Sequence, residues 1–204
     1  MALGSQPRWT VRPAIGAQVD IDVGLRDYML RIYNYMASGL ALTGIVAYVF
    51  AQYLEANPAL ARSPVMFLFM LAPLGLVYTH DSIARVFLIT AGTFGAMSLY
   101  GYTTRRDLTG MGSFLFMGLI GIVIASLVNI FLASSALQFA ISVIGVIVFV
   151  GLTAYDTQQI KDMYFENDDA QTAGKKAIMG ALRLYLDFIN LFMMLLQLFG
   201  SRRD

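Results

Sequence analysis

The sequence predicts an all-α protein: a polytopic transmembrane helix bundle of about six helices. Three observations predict it. Hydrophobic residues make up 58% of the chain and charged residues 13%, with a mean hydropathy of +0.66. A soluble domain carries about 25% charged residues, and half that charge cannot cover the water-exposed surface of 204 residues. Long stretches run without a charge, and a span needs only roughly 20 apolar residues at about 1.5 Å rise each. These stretches are continuously apolar rather than alternating, which excludes a barrel. In lipid their backbone must then satisfy itself as helix.

The same composition narrows the function. A net charge of +1 argues against nucleic acid, which needs a basic face. Cysteine is absent, so disulfides and thiolate metal sites are excluded. A single histidine, His80, cannot build a histidine metal cluster, and no cofactor is expected.

Residues 1–25 read as a polar N-terminal tail, 26–200 as the transmembrane domain and 201–204 as a short basic tail. No apolar run follows a short basic region near the start, so no cleaved signal peptide is expected. Trp9 and its flanking arginines suit a membrane surface; a disordered tail is the blander alternative. The first span covers 32–54 and stops before Glu55. A shorter run, 64–78, is broken by Pro73 and Gly75 and is the weakest candidate. The next covers 86–104 and ends at Arg105 and Arg106. The charge-free stretch 108–155 is too long for one helix, and the polar break at 129–138 divides it into 112–132 and 138–155. The last covers 177–200, interrupted by Arg183 and Asp187. Gly92 with Gly95, and Gly118 with Gly121, share a helix face and are expected to let helices approach closely.

Charge sets the expected orientation. Basic residues favour cytoplasmic loops. They cluster at Arg26 and Arg31, at Arg105 and Arg106, and at Lys161, Lys175 and Lys176, whereas 133–137 carries no charge. The three basic regions and the N-terminus are therefore expected inside. If 64–78 crossed once, the Arg105 loop would fall outside. The segment is thus expected to be re-entrant, interfacial or the remnant of a longer region.

An aspartate at the centre of a span costs about 3 kcal/mol on insertion scales. Asp156 closes the fifth span and Asp187 lies inside the last. If 160–176 turns the chain back, the two are antiparallel neighbours at comparable depth. Paired carboxyls in a poorly hydrated site share a proton and titrate as a pair. Such a pair can sense pH or hold a transient calcium ion through oxygen. The plainer alternatives are an interfacial Asp156 and an Asp187 satisfied by Tyr or Asn neighbours. Tyr155, Gln158, Tyr185 and Asn190 are candidate hydrogen-bond partners or ordinary packing residues. Arg183, one turn before Asp187, either pairs with it or snorkels toward headgroups, the favoured reading. Glu166, Asp168 and Asp169 lack calcium-loop spacing and read as a solvated acidic loop. His80 beside Asp81 reads as a surface loop residue.

The segment AYDTQQIKDMY, followed by GALRLYLDFINLFMMLLQLFG, resembles the C-terminal signature of the transmembrane Bax-inhibitor-motif family. SIARVF, YGYTTRRDLTGMGSFL and ASLVNIFL are similar to its bacterial inner-membrane branch, and the resemblance covers roughly 26–57 and 82–200. It implies a seven-helix pattern and a pH-sensitive calcium leak gated by a hydrogen-bonded aspartate pair, roles that fall on Asp156 and Asp187. It also implies an arginine, at the end of the second helix, that pairs with the YD aspartate. No residue from 65 to 79 is basic, and about one and a half helices look absent between MLAPL and VYTHDSIAR. Arg183 or Arg85 then substitutes, the gate is altered, or the chain does not conduct.

The leading expectation is a passive, pH-sensitive calcium (cation) leak in a bacterial inner membrane, with lipid and calcium ions as partners. The alternative is a membrane-embedded modulator of a membrane-anchored AAA protease. An enzyme is not expected: intramembrane aspartyl proteases use YD, but Asp187 sits in YLDF rather than G-x-G-D. A proton-coupled antiporter is a further reading of an aspartate pair.

Overall fold

The computed structural model describes residues 22–57 and 77–202. Helix α1, Val23–Ala56, starts where the Asp22 carboxylate accepts the Leu25 amide at 2.9 Å. Helix α2 is His80–Thr103, with Asp81 in its first turn, where the helix dipole favours an anion. Helix α3, Thr109–Leu132, ends at Ala133, whose φ of 47° is left-handed. The Asn129 side chain accepts the Ser134 amide at 3.0 Å across this sharp turn. Ser134 then caps α4, Ser135–Asp162, and Asp169 caps α5, Ala170–Phe199.

All five are long and apolar enough to cross a membrane. The sixth candidate, 64–78, lies outside the described residues except for its last two, as does the tail up to residue 21. Hydropathy located the apolar runs, but caps set the ends. α1 begins at Val23 and α5 at Ala170, each several residues before the charge-free stretch. α4 runs on to Asp162, so Asp156 lies inside a helix rather than closing one. His80 and Asp81 open α2 rather than sit in a loop, and His80 is exposed.

α4 and α5 form the centre. α4 packs on α2, α3 and α5, and α5 packs on α1, α2 and α4. α5 buries one stripe that includes Leu184, Asp187, Phe188, Leu191 and Leu195, the 3–4 residue spacing of a core-facing helix. Phe188 meets Phe87 and Phe94 edge-on at 5.4 and 5.5 Å. α4 and α5 run antiparallel: Ile160 faces Gly180 at one end, and Ser142 bonds Gln197 at 2.7 Å at the other.

The glycine expectation is corrected. Gly92, Gly95 and Gly121 face nothing within 4 Å among the described residues, and of the four only Gly118 touches a neighbour, Val148 at 3.0 Å. The close approaches lie elsewhere. A Cβ on Gly101 would overlap the Ala154 backbone, and one on Gly112 would overlap the Tyr155 ring. Glycine there lets α2 and α3 lie directly on α4.

Polar side chains clip the bundle at three levels. The Tyr33 and Ser98 hydroxyls pair at 2.5 Å and those of Ser98 and Thr157 at 2.9 Å, joining α1, α2 and α4. Asn129 donates to Gln138 at 3.0 Å, and Gln138 to Gln197 at 2.6 Å, joining α3, α4 and α5 at the far end. Ser201 donates to Ser82 and accepts from Thr79, fastening the start of the expected basic tail to α2.

Candidate functional site

The antiparallel α4–α5 pair brings Asp156 and Asp187 face to face. Their carboxyl groups stand within hydrogen-bonding reach of each other. Asp187 is 6% exposed, and its Oδ2 is buried with no donor among the described residues. Ionised carboxylates only accept, so the contact closes as a hydrogen bond when one proton is shared between them. The pair lines a cavity of about 580 Å³ between α3, α4 and α5. Ser113, Phe116 and Leu186 complete much of its wall.

The candidates divide cleanly around this cavity. Tyr155, Arg183 and Asn190 line it with the two aspartates. Tyr155 lays its ring on Gly112, closing the wall between α4 and α3. Arg183 is exposed and forms no ion pair with Asp187 among the described residues. Arg85 is exposed near the start of α2 and does not line the cavity.

Gln158 and Tyr185 work elsewhere. Gln158 accepts the Leu108 amide at 2.9 Å and donates to the Arg106 carbonyl at 2.8 Å, holding the α2–α3 loop. The Tyr185 hydroxyl pairs with Thr43 of α1 at 2.8 Å. Each lies two residues from an aspartate, an offset that turns a side chain to the far side of a helix.

The acidic loop is only partly solvated. Asp168 pairs with Lys176 at 2.5 Å, and Lys176 also donates to the Met163 carbonyl at 3.0 Å. Asp169 accepts the Gln171 and Thr172 amides, and Glu166 is exposed. Among the described residues no group of three or more His, Asp or Glu could hold a metal ion. Sequence reading missed Ser113 and the Tyr33–Ser98–Thr157 chain. Their only signal was a hydroxyl placed inside an apolar span.

Residues 65–204 match the family described as Inhibitor of apoptosis-promoting Bax1. Similar chains include an uncharacterized protein of Rickettsia prowazekii, 46% identical over 219 aligned positions covering 90% of this chain and 93% of the relative. Inner membrane protein YbhL of Escherichia coli is 47% identical over 219 positions, covering 88% and 94%. An uncharacterized protein of Caulobacter vibrioides is 38% identical over 238 positions, covering 94% and 95%. Each alignment is longer than the 204 residues of this chain, so these relatives hold internal residues with no counterpart here. With the matched family region, this degree of identity and the all-helical membrane architecture, the chain belongs to the Bax inhibitor family, in the branch that includes the Escherichia coli inner membrane protein.

Proposed function

We propose that the chain is a passive, pH-sensitive pathway for calcium, or cations like it, across a bacterial inner membrane, controlled by Asp156 and Asp187. The observation that supports this is the facing carboxyl pair in a cavity, with the Oδ2 of Asp187 lacking a donor among the described residues. When the pair holds a proton, the shared hydrogen bond ties α4 to α5. When that proton leaves, two like charges face each other in a poorly hydrated site and repel. A divalent cation relieves the repulsion through hard oxygen ligands. The pathway is therefore closed on the acid side and open on the alkaline side. Arg183 supplies the positive charge nearest the pair, in place of an arginine from 65–79.

The test is calcium flux into liposomes holding the purified protein, measured from about pH 6 to 8, since a coupled pair titrates as a unit. Flux that rises with pH is expected, and Asp187→Asn should abolish that dependence. An unchanged profile in the variant would sink the mechanism.

A second reading is a membrane-embedded modulator of a membrane-anchored AAA protease. The internal residues that relatives hold and this chain lacks favour it, because docking needs no complete pore. With the polar N-terminal tail as the contact with the protease, deleting residues 1–21 separates the two: flux survives in the first reading, and partner binding is lost in the second.

A further inference from the structure

α1 and α2 each pack on α5, and they meet each other at the Tyr33–Ser98 hydroxyl pair. Two cavities occupy the cleft between them. The one at the basic end is about 770 Å³, and the one at the opposite end about 550 Å³. We propose that the basic-end cavity seats one anionic phospholipid, its phosphate on Arg26 and Lys161 and its acyl chains along Met29, Met36 and Leu99.

Three observations carry this. First, the lining divides by depth. Arg26 and Lys161 sit at helix ends, where headgroups lie, and the wall below them is apolar except for Tyr33 and Ser98. Basic pockets between membrane helices recognise anionic headgroups. Second, the two cations are available. Among the described residues neither forms an ion pair. Lys161 is held in place by the Tyr102 carbonyl at 2.9 Å and lies 5.2 Å from the Tyr102 ring centroid. An ammonium has three donors, so two remain. The acid in the rim, Asp22, is engaged as the α1 cap. Third, Gly95 lines the cleft, and a Cβ there would meet nothing within 4 Å, which leaves width for a chain.

The charge also selects the occupant. A second copy docked by a two-fold axis would bring the same basic rim against itself. Free phosphate would leave the apolar wall uncovered.

The experiment is native mass spectrometry of the delipidated full-length protein with phosphatidylglycerol or phosphatidylcholine of identical acyl chains. One phosphatidylglycerol per chain is expected to stay bound, at least tenfold more strongly than phosphatidylcholine. Combining Arg26→Gln with Lys161→Gln should lower retention roughly tenfold. Gly95→Leu, which fills the wall and leaves both cations, should lower it as well. Thermal melting identifies folded variants, and Arg26→Gln alone, at an exposed position, keeps the test valid if the Lys161 change unfolds the chain. Equal binding of the two lipids would overturn the proposal. So would wild-type retention by the folded variants, displacement by inorganic phosphate, or a dimer cross-linked through the cleft.

Discussion

Asp169 shows how one side chain fixes a helix end. The Thr172 hydroxyl, followed by the Thr172 and Gln171 amides, holds its carboxyl below the usual carboxylate range. The folded value is thus lower than the unfolded one. Its stabilisation is complete above the unfolded value of about 3.9 and is lost as pH falls through the folded value. Asp169→Asn caps without a charge, so its melting temperature should lie below wild type at neutral pH, with the gap closing below about pH 4. A constant gap would show that the charge plays no part. The aspartates of the cavity were legible in the sequence for an energetic reason: an acid inside an apolar run is too costly to place without a use. Their neighbours were legible only through helix geometry. Arg183 and Asn190 stand four and three residues from Asp187 and share its cavity. Gln158 and Tyr185 stand two residues away and point elsewhere.

Between elements, contact is decided by residues whose signal in the sequence is weak. Glycine pairs three apart looked like packing faces, yet three of those four glycines meet no neighbour among the described residues. Spacing shows that two residues share a face but not which face meets a neighbour. Gly101 does meet one, because the Ala154 backbone lies where its Cβ would be. Backbone cannot rotate aside, so Gly101→Val should cost about 1–3 kcal/mol and lower the melting temperature. Gly92→Val, by the same measurement, should leave it near wild type. Gln158 is a second contact of this kind. It is 8% exposed and satisfies two backbone groups of the α2–α3 loop. Gln158→Ala strands those groups at about 1–3 kcal/mol. Trypsin should then cut faster at Arg105 and Arg106, and an unchanged cleavage rate would count against the clip.

At the scale of the whole molecule, the described helices sort the charges. Arg26, Arg105, Arg106, Lys161, Lys175 and Lys176 all belong to one end of the bundle, where α1 and α5 begin, α2 and α4 finish and α3 starts. The other end carries Glu55, Asp81, Arg85 and Arg202. The last turns of α1 and the first of α2 meet there, since Ala51 and His80 line one cavity. The chain therefore leaves α1 and enters α2 at the same end. Basic loops alone had pointed to this in the sequence, while the residues between stayed illegible because their apolar run is too short for two spans and too long for a plain loop. By the positive-inside rule the basic end is expected on the cytoplasmic side. The chain has no cysteine, so single cysteines report cleanly. Asn57→Cys and Thr79→Cys should label together from the periplasmic side, and Thr104→Cys and Glu166→Cys from the cytoplasmic side. If Asn57→Cys and Thr79→Cys labelled from opposite sides, residues 58–78 would cross once, and the shared end of α1 and α2 would be wrong.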